Sequence, residues 1–145
     1  MLTLLTFRIR DTLFGIEIEA VREINRNVEY TVVPDAPANI VGLFNMRGHI
    51  VVLYNLSYLF RNPDCAVRQG STCIVLKSAG ENQDNNGFFI DQTGDVLGVE
   101  EASLEPPPGN ASGQELTYVK NVAKLEKELL LLLDPEKIFH TDSEH

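Results

Sequence analysis

Residues 34–60 read PDAPANIVGLFNMRGHIVVLYNLSYLF. Pro34 and Pro37 fix φ and remove backbone donors around Asp35-Ala36, so the stretch opens with a rigid turn. Two apolar runs follow, Ile40 to Met46 and Ile50 to Tyr54, separated by Arg47-Gly48-His49. Both are rich in Val, Ile, Leu and aromatic residues and too short for a helix, so they are expected to be adjacent buried strands. Gly48 is the residue between them that takes a positive φ without strain, which makes the connection a tight hairpin and sets Arg47 at the lip of a strand. Asn55 then supplies an N-cap for a short helix with Leu56, Leu59 and Phe60 on its apolar face.

The same alternation extends towards the N-terminus. Leu5, Phe7 and Ile9 alternate with Thr6, Arg8 and Arg10, and Phe14, Ile16 and Ile18 with Gly15, Glu17 and Glu19, across an Asp11-Thr12 turn. That is a hairpin of half-buried strands. Ala20, Val21 and Ile24 have helical spacing, so a helical turn is expected over 19–25, with a strand from Val28 to Val33.

Beyond the central hairpin, Arg61 to Gly70 is a polar loop, Thr72 to Leu76 a strand, and Ser78 to Asn86 a connection of turn formers. Gly87 to Asp91 and Val96 to Val99 are expected to pair around Gln92-Thr93-Gly94-Asp95. Leu104-Glu105-Pro106-Pro107-Pro108-Gly109 interrupts regular structure, and an exposed loop is expected to run on to Glu115. Thr117 to Leu125 and Leu129 to Leu133 form a closing strand pair, and Asp134-Pro135 starts a helix, with the cap followed by Pro at the first helical position. Asn55-Leu56-Ser57-Tyr58-Leu59-Phe60 and Asp134-Pro135-Glu136-Lys137-Ile138-Phe139 echo each other: cap, short helix, terminal Phe. Many short strands with little helix argue an all-β architecture in two similar halves, closed into barrels so that strand edges are not left open.

At 145 residues and 43% hydrophobic the chain has room for one domain, or two small subdomains. Twelve basic against 21 acidic residues give a net charge of −9, which disfavours nucleic acid and anionic membrane surfaces. An oligonucleotide-binding barrel would need a basic, aromatic sheet face. No basic segment precedes a long apolar core at the N-terminus, and the run Leu129–Leu133 is too short to span a bilayer, so a cytoplasmic address is expected.

Phosphate-loop, dinucleotide, esterase and zincin motifs are absent. Cys65 and Cys73 form no metal-ligand set, and neither has a base nearby in sequence to activate it. Asn82, Asp84, Asn86 and Gly87 imitate the start of a calcium loop, but the first position is Asn and the twelfth, Thr93, is not Glu. A small hydrolase would need His49 in a pocket with an acid and a nucleophile, and nothing adjacent orients His49. No enzyme activity and no cofactor is therefore expected. Arg47 has two readings from the residues alone, a solvated hairpin charge or a donor fork aimed at a partner.

Several stretches, in this order and spacing, resemble the CheW-like domain family over about Thr3 to Phe139. They are Phe14-Gly15-Ile16-Glu17-Ile18, Val21-Arg22-Glu23-Ile24, Pro34-Asp35-Ala36-Pro37, Val41 through Gly48, Tyr118 through Leu125, and Leu129 through Asp134. The resemblance implies a single domain over residues 1–145, built from two intertwined SH3-like, five-stranded β barrels sharing a hydrophobic core. It implies a non-enzymatic adaptor at membrane receptor arrays, joining the regulatory domain of a CheA-type histidine kinase to the cytoplasmic tip of chemoreceptors.

By the match, Arg47, Glu23, Val21 and Ile24 would carry receptor contacts, and Asn45, Met46, Gly48 and His49 would face the kinase. The chain departs from the family at Asn55-Leu56-Ser57, where Asp-Leu-Arg is usual, and at Asn121 and Lys127 or its neighbour, where Gly is usual. Asn tolerates the left-handed region, so the first of these glycines is expected to be dispensable. The lost charges point to an alternative: a divergent scaffold with its own kinase in a system driving type IV pili, gliding or transcription.

Overall fold

The two prolines act as their restricted backbones require. In the computed structural model, which describes residues 1–59, 67–77, 85–107 and 118–140, Ala36 N donates to Val33 O at 3.3 Å and Ile40 N to Pro37 O at 2.9 Å. Asp35 has φ 62, so Pro34-Asp35 occupies the centre of a type II turn, with proline second and an αL-tolerant residue third. The chain leaves these turns as β4 (Ile40–Met46), which pairs antiparallel with β5 (His49–Tyr54) and is followed by α1 (Leu56–Leu59).

The remaining elements are β1 (Leu2–Ile9), β2 (Thr12–Glu17), β3 (Val21–Val28), β6 (Ser71–Leu76), β7 (Asn85–Ile90), β8 (Gln92–Val99), β9 (Val119–Lys124), β10 (Leu129–Leu133) and α2 (Pro135–His140). They form two five-stranded sheets, in the order β8-β1-β2-β10-β9 and β3-β6-β7-β5-β4. The first belongs to a unit of residues Met1–Glu19 and Gln92–His145, the second to a unit of Ala20–Asp91.

Each sheet is two hairpins joined through a parallel pair, β2 with β10 and β5 with β7, with one further strand on the outer side. The order of elements repeats along the chain: hairpin, single strand, hairpin, helix. Each single strand, β3 or β8, joins the sheet that its preceding hairpin does not. The echoed segments after Tyr54 and Leu133 therefore hold equivalent places, each closing one repeat.

Both sheets also close edge to edge. Thr31 and Leu43 exchange two backbone hydrogen bonds of 2.8 Å, tying the chain beyond β3 to β4. Glu105 and Val122 do the same for the chain beyond β8 and β9, at 2.9 and 2.8 Å. An edge paired this way offers few free backbone groups to another chain. Apolar burial follows the closure. Val28, Met46, Val51, Leu53, Cys73, Val75 and Phe89 form the core of the second unit, with Tyr30 edge-on to Phe89 at 5.6 Å. Leu4, Leu13, Val99, Ala123, Leu130 and Leu132 cluster in the first.

Several boundaries differ from those the sequence predicts. Strand β1 is buried continuously from Leu4 to Phe7, because its central residues are covered on both faces. The helical turn is a 3₁₀ turn at Ile18–Ala20, and Val21, Glu23 and Ile24 lie on β3, which ends at Val28 where a strand was expected to begin. Strands β7 and β8 are not partners: the chain passes from one sheet to the other at Asp91. Gln92 to Asp95 is strand, with Gly94 and Asp95 together opposite Thr6 in a β-bulge. Asn85 and Asn86 open β7 rather than ending a loop. The expected loop segments 61–66, 78–84 and 108–115 lie outside the described residues, as do Phe60, Cys65, Asn82, Asp84 and Thr117.

The helix starts match their capping residues. Asp134 Oδ1 accepts from Glu136 N at 3.1 Å, which satisfies one of the free donors of the first turn of α2. At the family glycine positions, Asn121 and Lys127 or its neighbour, none of Asn121, Glu126, Lys127 and Glu128 has a positive φ. Asn121 is a β9 residue whose Nδ2 donates to Glu105 O at 3.4 Å, so tolerance there comes from extended backbone and not from the left-handed region.

Candidate functional site

The β4–β5 hairpin turns on two residues, Arg47 at φ 51 and Gly48 at φ 88. Positive φ at both centres is the type I′ turn, whose twist matches that of the flanking strands. Gly48 is therefore not alone in the left-handed region. Arg47 is held there too, at a steric cost that glycine, with no Cβ, does not have. Asn45 Oδ1 accepts from Gly48 N at 2.9 Å and steadies the turn.

Strand β3 lies at the opposite edge of the same sheet, and closure of that sheet brings Glu23 to the hairpin tip. Arg47 Nη1 donates to Glu23 Oε1 at 3.0 Å and Nη2 to Oε2 at 2.5 Å. This is a fork-to-fork pair, the geometry arginine makes and lysine cannot. The Arg47 side chain remains 66% exposed and that of Glu23 25%, so the pair sits at the surface with its cationic side outward. The hydrogen bond from Arg47 holds the Glu23 carboxyl below its ordinary range, and the same bond pushes the guanidinium up. Nε–H and one N–H on each terminal nitrogen of Arg47 are not used by this pair, and they can meet an acceptor on another molecule.

The sequence-predicted neighbours separate into surface and core. Val21 and Ile24 are half-buried on β3, on either side of Glu23, with a bulge between Val21 and Glu23. Asn45, Gly48 and His49 are exposed at the tip. Met46 is not. Only 2% of it is exposed and it belongs to the core of the second unit, because it faces inward on β4 where the partner-facing role assigned to it requires the outer face. Asn25 Nδ2 approaches Met46 Sδ at 3.7 Å, a further tie between β3 and the hairpin.

Sequence reasoning passed over Ile50, which is 47% exposed opposite Asn45. Its signal was available: it alternates with Val51, which is fully buried.

Catalytic alternatives gain nothing from the geometry. His49 is exposed at the hairpin. Burial pushes the Cys73 thiol up to about 12, which keeps it protonated and unreactive. Among the described residues no group of three or more His, Cys, Asp or Glu side chains could hold a metal ion.

Two closed five-stranded sheets, one of them with an exposed arginine fork at a hairpin tip, define an all-β protein. Residues 3–143 match the CheW-like domain, and the chain belongs to that family. It is 28% identical over 139 residues to chemotaxis protein CheW of Treponema pallidum (strain Nichols), covering 94% of this chain and 81% of that one. It is also 28% identical over 143 residues to the chemotaxis protein CheW of Helicobacter pylori, covering 98% and 84%. Among solved structures it is similar to the scaffolding protein TtCheW of Thermoanaerobacter tengcongensis, with a TM-score of 0.80, 25% identity, and coverage of 92% of this chain and 88% of that one.

Proposed function

We propose that this protein is a non-enzymatic adaptor of a bacterial chemosensory pathway, coupling the cytoplasmic tip of chemoreceptors to the regulatory domain of a CheA-type histidine kinase. The observation that carries it is the Glu23–Arg47 pair: an arginine fixed by two hydrogen bonds, mostly exposed, and held on a strained turn. Pre-fixing a long side chain lowers the entropy lost when a partner binds it, and exposed arginines of this kind are enriched among the residues that dominate interface energies. Family membership supplies the partner classes.

In this proposal Arg47, Glu23, Val21 and Ile24 meet the receptor, and Asn45, Gly48 and His49 meet the kinase, with Ile50 adding apolar area beside them. The protein works in the cytoplasm at membrane receptor arrays. Among the described residues no helix is long and apolar enough to cross a membrane.

A second reading rests on α1. Ser57 is buried where the family usually has arginine, and Asn55 stands where it usually has aspartate. A scaffold dedicated to its own kinase, for pili, gliding or transcriptional output, accounts for a partner surface without those charges.

The test is a calorimetric titration of the protein with the regulatory domain of each CheA-type kinase from the same cell, repeated with a receptor-tip fragment. Saturable binding to one of them, weakened by Arg47→Ala, is the expected result. Binding confined to a kinase outside the flagellar system selects the second reading. A folded protein that binds none of them overturns both.

A further inference from the structure

The tip of the β9–β10 hairpin occupies, in the first unit, the place that the Arg47 tip holds in the second. Its charges are reversed. Glu128 at the tip accepts from Arg8 of β1, Nη1 to Oε1 at 3.1 Å and Nη2 to Oε2 at 2.8 Å, and Arg8 Nη1 also donates to Asp11 O at 3.3 Å. Here the strand carries the cation and the hairpin the anion.

This pair lines a half-open cavity of about 580 Å³ together with residues of β1, β2, β8 and the hairpin. The β-bulge builds it. Two residues of β8, Gly94 and Asp95, oppose Thr6 alone, and Thr6 Oγ1 donates to Asp95 O at 2.6 Å. A Cβ on Gly94 would lie 2.4 Å from Thr6 Oγ1, so the bulge depends on glycine at that position. Bulges commonly re-aim a side chain next to a functional site. The residue after this glycine is Asp95, which lines the cavity.

The chemistry of the lining is uneven. Arg8 and Glu128 neutralise each other, while Asp95 is exposed and its carboxylate has no protein partner among the described residues, so the rim of the cavity carries one uncompensated negative charge. Leu97 and Leu125 supply apolar wall beside it. An aliphatic stem ending in a cation matches that combination, the stem covering leucine and the head reaching carboxylate. The net charge of −9 over the chain adds long-range attraction for a basic segment.

We propose that this cavity is a second docking site, which receives a lysine or arginine side chain from a partner polypeptide. It lies in a different unit from Arg47 and does not depend on the coupling role proposed above.

The experiment is a titration of the ¹⁵N-labelled protein with acetyl-Ala-Arg-Ala-amide, followed by amide chemical shifts, beside the same titration with acetyl-Ala-Gln-Ala-amide. Saturable shifts are expected at Thr6, Gln92–Leu97 and Leu125–Glu128 with the arginine peptide only. Asp95→Asn is expected to weaken them by about tenfold or more, the loss of one charge-assisted hydrogen bond, while Arg47→Ala leaves them unchanged. Equal shifts with both peptides, unchanged affinity in Asp95→Asn, or no saturable shift at these residues up to the solubility of the peptide would each overturn the proposal.

Discussion

Glu23 and Arg47 are 24 residues apart, one on edge strand β3 and the other in the turn that follows the opposite edge strand, β4, yet they share two hydrogen bonds. The pair can form because the sheet closes, with the Thr31–Leu43 bridge holding its edges together. Arg47 is thus positioned by the whole barrel and not by its hairpin alone. It also sits in a backbone region that arginine occupies at a steric cost. An unfavourable backbone conformation at an exposed residue adds nothing to stability, so folding and partner binding can be separated at this position.

That separation is testable with Arg47→Asn. Asn-Gly is the preferred type I′ dipeptide, so the substitution relieves the turn while deleting the fork. Exposed ion pairs contribute little to folding, so the melting temperature is expected to stay level or rise by a few degrees. Affinity for the responsive partner is expected to fall about thirtyfold or more. A marked drop in melting temperature would make the pair structural.

The lowered Glu23 carboxyl makes a pH prediction. Its folded-state value lies below the ordinary 4.5 because Arg47 donates to the ionised form. The stabilisation is then fully present above the unfolded value and lost as pH falls through the lowered folded one. The Glu23 side-chain carbon, followed by NMR, is expected to titrate below 4.5 in the wild type and to move upward in Arg47→Asn. Identical midpoints in the two proteins would show that the pair does not persist in solution.

Where structure is set locally, it was legible. The proline turns, β4, β5, β10 and the capped start of α2 depend on neighbours a few residues away. Strand β3 was not legible because two register shifts, one between Val21 and Glu23 and one between Asn25 and Val28, break the two-residue period, and Asn27 has φ 57 within it. Gln92 to Asp95 looked like a turn because Gly94 and Asp95 are turn formers. There they make a bulge against Thr6, a residue far away in sequence. The Glu23–Arg47 association came from family resemblance, since no spacing rule connects two residues that meet only when a sheet closes.

Cys73 offers a probe of the second core. It is a free thiol with no exposed surface, pushed up to about 12 by burial. In a Cys65→Ser background, iodoacetamide at pH 8 is expected to leave the folded protein unlabelled and to add one carbamidomethyl group in denaturant. Modification under native conditions at a rate close to that of a free thiol would mean that the strands around Cys73 open readily.

Two glycines separate the demands of space from those of backbone angle. A Cβ on Gly42 would lie 2.3 Å from Thr31 O, the oxygen that accepts from Leu43 N in the closing bridge. Backbone cannot yield as a side chain can, so Gly42→Ala forces the edges apart. Overpacking together with weakening of the bridge is expected to cost about 3 kcal/mol. A Cβ on Gly48 meets nothing within 4 Å, and its only penalty comes from φ +88, about 1 kcal/mol. For a chain of this size the melting temperature is then expected to fall by roughly 10 °C in Gly42→Ala and roughly 3 °C in Gly48→Ala. Because closure carries Glu23 to the hairpin, Gly42→Ala is also expected to return the Glu23 titration towards its ordinary range, whereas Gly48→Ala leaves it low. Equal losses in the two variants, with Glu23 unmoved in both, would mean that the bridge does not position the pair.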